Sequence, residues 1–162
     1  MTNFSYDRSE PAAANCFQAD SARLILATHQ RLLQRPLLAA EASGIDFAEQ
    51  LYFAPIAVLA HDGATDPVFF YANLAAQRAF AMNWEEITRL PSRFSAEPVA
   101  RAERQTLLER VTQHGYIDDY SGIRIAADGT RFRIERATVW NLVDDAGRRL
   151  GQAAAFARPE AL

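Results

Sequence analysis

The sequence predicts a single α+β domain, and three observations carry that expectation. Two short apolar runs come early, a block of helical periodicity follows them, and the last third of the chain consists of long alternating runs separated by Asp/Gly turns. Strands and helices are thus segregated along the chain, which favours an antiparallel sheet with helices packed on it over a parallel α/β arrangement. At 162 residues and 49% hydrophobic content, the chain can bury a core without disulfide or metal staples.

Each element has a local reason. Residues 1–19 are polar and Ala-rich without periodicity and are expected to form a flexible arm. Residues 20–45 form an N-terminal helical segment: Ile25, His29, Leu32 and Leu33 fall on one helical face, and Pro36 closes the run. Residues 46–162 form the main domain, which Asp46 and Glu49 open with capping-box spacing for a short helix ending near Pro55. Ile56 to Ala60 and Val68 to Tyr71 read as two strands joined through Asp62-Gly63. Asn73 caps a helix through Met82, and Asn83 with Glu86 has the spacing of a second capping box, for a helix carrying Trp84, Ile87 and Leu90 that Pro91 ends. A long helix is predicted from Val99 to Gln113, with Leu107, Leu108 and Val111 on one face and Gly115 past its end.

Three strands follow as a meander: Tyr116 to Ala126, Arg131 to Val143 and Leu150 to Ala157, turning at Asp128-Gly129 and Asp145-Ala146-Gly147. In the middle strand Phe132, Ile134, Thr138, Trp140 and Leu142 share a face at period two, interrupted by Arg136, and this face is expected to line the interior.

Composition removes several function classes. The net charge is −3, from 17 basic and 20 acidic residues mixed along the chain, so no basic stripe exists and no direct nucleic-acid partner is expected. Every basic residue is arginine, which excludes Schiff-base and pyridoxal chemistry for want of a lysine. Cys16 is the one cysteine, so no internal disulfide forms and a cytoplasmic setting is expected. No apolar leader and no run of 18 apolar residues is present, so no membrane partner is expected.

Several strings are more specific than the pattern: Tyr71-Ala72-Asn73, Trp84-Glu85-Glu86, Leu90-Pro91-Ser92-Arg93, Ser95-Ala96-Glu97-Pro98, Tyr120-Ser121-Gly122-Ile123-Arg124-Ile125, Val139-Trp140-Asn141-Leu142 and Gly151-Gln152-Ala153-Ala154. In this order, over roughly Asp20 to Ala157, they resemble the MEKHLA family, and the chain looks like a stand-alone, bacterial-type member. The resemblance implies a PAS-like fold, a five-stranded antiparallel sheet covered on one face by the helices inserted between its second and third strands, plus the N-terminal amphipathic helix. It also implies a sensory or dimer-modulating role and brings no family activity with it.

The residues themselves offer little catalysis. His29, His61 and His114 lie on separate elements without metal-ligand spacing, so no metal site is expected. His114, at the end of the long helix, lies where heme-binding PAS domains place their iron ligand, but a helix-terminal histidine favoured by the macrodipole is the simpler account. Photoadduct chemistry on a flavin needs a cysteine in the helical middle, and 73–115 has none; noncovalent flavin binding stays open as an alternative, since aromatic walls and amide donors could hold the ring, but no residue demands it. Asp118 and Asp119 are neighbours in a strand and should point to opposite faces, at least one of them to solvent. Arg89, Arg93 and Glu97 are expected to lock their loop by ion pairs.

What remains is a set of polar residues on apolar strand faces: Tyr120 with Arg124, Arg136 with Trp140, and Gln152. Such arginines can hold a ligand carboxylate, with Trp140 as an aromatic wall. The expected function is a non-catalytic sensory module that binds an unknown small molecule and signals through a homodimer or partner protein, with Ile25, His29, Leu32 and Leu33 as the contact face. The alternatives are a ligand-free interaction domain with a filled core, and an enzyme of lyase or isomerase type using Tyr120, Asp118 and Arg124.

Overall fold

The computed structural model of the chain describes residues 7–38, 46–96, 98–157 and 159–161. Its elements are α1 (Ala19–Leu33), α2 (Phe47–Phe53), β1 (Ala57–Asp62), β2 (Phe69–Ala72), α3 (Leu74–Phe80), α4 (Trp84–Ile87), α5 (Pro98–His114), β3 (Tyr116–Ile125), β4 (Arg131–Val143), β5 (Arg149–Phe156) and β6 (Glu160–Ala161). All strand pairs are antiparallel, in the order β2-β1-β5-β4-β3, with β6 lying along β4. The first strand and the fifth thus lie side by side, with β1 and β5 in the interior of the sheet.

The turns form where short polar side chains and glycines allow it. Asp128 Oδ1 accepts from the Thr130 amide at 2.9 Å and Gly129 adopts φ +86°, closing the β3–β4 hairpin. Asp144 Oδ1 does the same for Ala146 and Arg148, with Gly147 at φ +80°. Asn73 caps α3 through Ala76 and also accepts from Val58 N, while its amide donates to the Leu51 and Ile56 carbonyls. One buried side chain therefore ties α2, β1 and α3 together. The Asn83–Glu86 capping box forms as expected, whereas Asp46 occupies the N-cap of α2 without a side-chain cap bond.

Strand β4 departs from the sequence expectation. Arg136 sits at φ +50°, and the register moves from Gly122↔Ile134 to Tyr120↔Ala137, so β4 holds one residue more than β3 across this step. This is a β-bulge, and it reverses the facing of everything after it. Phe132, Ile134, Ala137 and Val139 pack under the helices between β2 and β3. Trp140 and Leu142 turn to the opposite face and join a separate cluster with Ile25, Leu51, Val58 and Ala153. The five positions expected to share one face are divided between two.

Helix α1 is the cover of that second face. Ile25 and His29 are buried, the His29 ring stands edge-on to Trp140 at 4.9 Å, and Trp140 Nε1 donates to Thr28 Oγ1 at 3.0 Å. Ile25 and His29 are thus used inside the fold rather than offered to another chain as the sequence reading expected; Leu32 and Leu33 are half-buried at the rim of the same cluster. The physical reason is the bulge, which gives the outer sheet face a tryptophan that has to be covered.

Residues 7–18, expected as part of a mobile arm, make tertiary contacts. Arg8 donates to the Phe69 and Thr88 carbonyls and pairs with Asp62, each at 2.9 Å, and Trp84 Nε1 donates to the Arg8 carbonyl at 2.8 Å. The remainder of that arm, 1–6, and residues 39–45 of the expected helical segment lie outside the described residues.

The Thr28–Trp140 bond gives the first prediction. Thr28→Val preserves shape but leaves a buried indole N–H without an acceptor, which costs about 2 kcal/mol. Urea unfolding is expected to show that loss; an unchanged midpoint would mean that α1 does not hold Trp140 in solution.

Candidate functional site

Between the inner sheet face and helices α3 and α5 lies a cavity of about 60 Å³. Leu59, Ile134, Val139 and Phe156 supply apolar wall from the sheet, and Phe80, Leu107 and Leu108 from the helices. Into this wall are set six polar side chains: Tyr120 and Arg124 from β3, Gln152 from β5, His61 from β1, Arg104 from α5 and Ser95 from the segment before α5. Arg104 is 7% exposed, Arg124 8%, His61 6% and Gln152 1%.

The local structure explains each placement. Along β1 the alternation Ala57, Leu59, His61 points inward, so His61 continues an apolar row. On α5, Arg104 precedes Leu107 by one turn and Val111 by two, so it shares their buried stripe. Tyr120 and Arg124 stay on one face because the bulge at this level belongs to β4, and the Arg124 guanidinium lies over the Tyr120 ring at 5.2 Å.

Both guanidiniums are poorly satisfied. Arg104 donates to Ser92 Oγ at 2.5 Å and Arg124 to the Ile123 carbonyl at 3.3 Å, one protein bond apiece for groups with five N–H donors. Among the described residues no carboxylate pairs with either. Burial, reinforced by the Arg124 charge, depresses Arg104 to about 10, so it stays charged at neutral pH.

The acceptors are equally unsatisfied. His61 Nδ1 is 2.9 Å from the Asp62 carbonyl, which can only accept, so the neutral ring carries its proton there and Nε2 is a free acceptor. Nε2 is buried without a partner, and so is Gln152 Oε1. The Gln152 amide is oriented by its Nε2, which donates to the Leu108 carbonyl, Thr112 Oγ1 and Asn141 Oδ1, each at 3.1 Å. A third orphan, the Tyr71 hydroxyl, belongs to the cluster under α1 and not to this cavity.

Of the five expected ligand residues, the structure brings together Tyr120, Arg124 and Gln152. Arg136 is exposed at the bulge, in a shallow groove beside His29 and Thr138, and Trp140 faces α1; the parity change separates both from the cavity. Arg104 and His61 take the places that sequence reasoning assigned to these two. Their signals were present: an arginine in register with a helix's apolar stripe and a histidine in register with a strand's.

Other expectations resolve simply. Asp118 and Asp119 are both exposed, and Asp118 pairs with Arg35 at 3.6 Å, so the proposed Tyr120, Asp118 and Arg124 constellation does not assemble. Arg93 pairs with Asp66 and Arg89 with Glu85, while Glu97 lies outside the described residues. His114 is exposed and does not line the cavity. Among the described residues no cluster of His, Cys, Asp and Glu could hold a metal, and no helix is long and apolar enough to cross a membrane. The lining holds no cysteine for a flavin photoadduct, and its volume of about 60 Å³ is far below the ~300 Å³ at which sites for drug-sized ligands begin.

Burial lowers His61 to about 4 against 6.5 in the unfolded chain, partly offset by its bond to the Asp62 carbonyl and reinforced by Arg104 and Arg149. The folded value is depressed, so this stability is fully present above pH 6.5 and is lost as pH falls toward about 4. Wild type is expected to lose up to about 3 kcal/mol over that window through His61. His61→Gln should flatten the loss in urea unfolding, leaving the smaller contribution of His29, which burial also lowers; equal slopes would place His61 in contact with water.

Known proteins agree with this architecture. The PAS domain of a protein from Colwellia psychrerythraea superposes with a TM-score of 0.59 at 13% identity, covering 68% of this chain and 92% of that one. The light-state dimer of the fungal blue-light photoreceptor Vivid gives 0.57 at 15%, covering 82% and 92%, and an RNA-binding light-oxygen-voltage receptor gives 0.56 at 19%, covering 75% of this chain and 36% of the receptor. No curated protein matches the sequence. The MEKHLA domain profile matches residues 19–160, nearly the whole length, and the sheet order and helical cover built above are those of a PAS-like domain: the chain belongs to the MEKHLA domain family.

Proposed function

We propose that this domain is a sensory module that binds a small molecule in the cavity between α5 and the inner sheet face and passes its occupancy to another protein chain. One observation carries the reading: two buried arginines with one protein hydrogen bond apiece and two buried acceptors without a partner line the same cavity. Folded proteins rarely leave such groups unpaired, because each costs about 1–3 kcal/mol. A ligand that completes them recovers that cost only when bound, which is the differential affinity a sensor requires.

The route outward runs through Gln152. On one side it faces the cavity, and on the other it holds the Leu108 carbonyl and Thr112 hydroxyl of α5. A ligand bonded to Gln152 Oε1 polarises or reorients the same amide that anchors α5. With the α1 stripe engaged internally, output through a dimer or partner would use surfaces other than Ile25 and His29. The solved light-state dimer of Vivid has the same fold and supports self-association as one form of output. No catalytic role and a cytoplasmic setting complete the proposal.

Native mass spectrometry of the freshly purified full chain, with a visible absorbance spectrum of the same sample, is the test. A co-purifying small-molecule mass that Arg104→Leu abolishes is the expected result. Bare polypeptide mass throughout, together with no response to any small-molecule library in thermal-shift assays, would overturn the sensor reading.

A further inference from the structure

We infer that the cavity is a receptor for a small organic acid bearing a second, proton-donating group, a 2-hydroxy acid of two or three carbons being the simplest member: Arg104 and Arg124 hold the carboxylate, and the hydroxyl donates to His61 Nε2 or Gln152 Oε1. This rests on the sensor reading and narrows it to a ligand chemistry.

Charge is the first argument. Two guanidiniums, each more than nine-tenths buried, line one small cavity and have no anionic partner among the described residues. Their mutual repulsion is visible in Arg104, which the Arg124 charge helps to depress. A buried like-charge pair is costly unless a counter-charge completes it, and a carboxylate matches the planar donor fork of arginine.

Polarity of the remaining groups is the second argument. Gln152 Oε1 and His61 Nε2 are both acceptors, fixed as such by the bonds their other ends make. Neither can satisfy a carboxylate, and neither repels a hydroxyl. The lining therefore presents donors and acceptors as separate subsites, which a plain inorganic anion would use only in part.

Size is the third. About 60 Å³ holds roughly four waters. That matches an acid of two or three carbons and excludes fatty acids, nucleotides and aromatic cofactors unless the helices move.

The experiment titrates ¹⁵N-labelled full chain with sodium glycolate, sodium acetate and glycolamide. Glycolate is expected to shift the amides of Tyr120, Arg124 and Gln152, glycolamide to bind about tenfold more weakly for loss of the charge, and acetate to be weaker than glycolate for loss of the hydroxyl. Arg104→Gln and Arg124→Gln should each lose about tenfold in glycolate affinity. Arg104→Leu guards against misfolding: removing a desolvated charge is expected to raise the melting temperature while glycolate binding disappears. Equal binding of glycolamide, arginine variants that bind glycolate normally, or no cavity resonance moved by any acid would each overturn the acid assignment. A neutral molecule found in the cavity by native mass spectrometry would overturn it while leaving the sensor reading intact; silence in both experiments would remove both.

Discussion

The structure depends on one backbone irregularity, the left-handed residue Arg136 in the middle of β4. A thirteen-residue strand with strict alternation would send Phe132 and Trp140 to the same side, and the domain would then have one oily face and one polar face. With one extra residue at the bulge, the first part of the strand faces α3 and α5, and Trp140 and Leu142 face α1. Both faces become apolar, and both must be covered. The N-terminal helix is accordingly part of the core and not an appendage, and the cavity wall is built from aliphatic residues and phenylalanines and not from a tryptophan. An arginine at positive φ costs about 1–3 kcal/mol, and two-sided burial is what offsets it.

This also explains which parts of the architecture were readable in advance. Strand and helix order, the Asn73 and Asn83 caps and the two Asp/Gly turns are local features, and local features leave local signatures. A bulge leaves almost none, because arginine has no special claim on the left-handed region. The change of facing carries Trp140 and Leu142, which lie beyond residue 136 in the same strand, to the face under α1. Tyr120 and Arg124 keep one face because the extra residue at the register shift between Tyr120 and Gly122 lies on β4, and β5 keeps plain alternation from Gln152 to Phe156.

Arg104 and His61 are hard to read as cavity residues from sequence for a different reason. Both are charged or titratable types in positions that alternation assigns to the core, and the usual expectation is that such residues snorkel to solvent. Here the helix and strand periods hold and the residues stay inside. His61 can do so only as a neutral ring, and Arg104 only as a cation short of partners. A core that keeps two guanidiniums where leucines would pack is less stable than it could be, and such a cost persists where the groups act on something other than the fold.

The geometry further constrains how an occupant would be felt. Helix α5 is fastened to the sheet by two amides, Asn141 through the Val111 carbonyl at 2.9 Å and Gln152 through the Leu108 carbonyl at 3.1 Å, and the two amides are bonded to each other. Arg104, one turn before Leu107 on the same helix, reaches the cavity from the other side. An anion bound there would pull on α5 at Arg104 and alter the amide that holds α5 at Leu108. Two contacts with one helix, separated by a single turn, act as a lever on its position, whereas an occupant touching only the sheet would meet strands that their ladders already hold rigid. The response to a ligand should therefore be read at α5 and at the β3 edge that follows it through Gly115, and not at α1, whose packing on Trp140 lies behind the sheet.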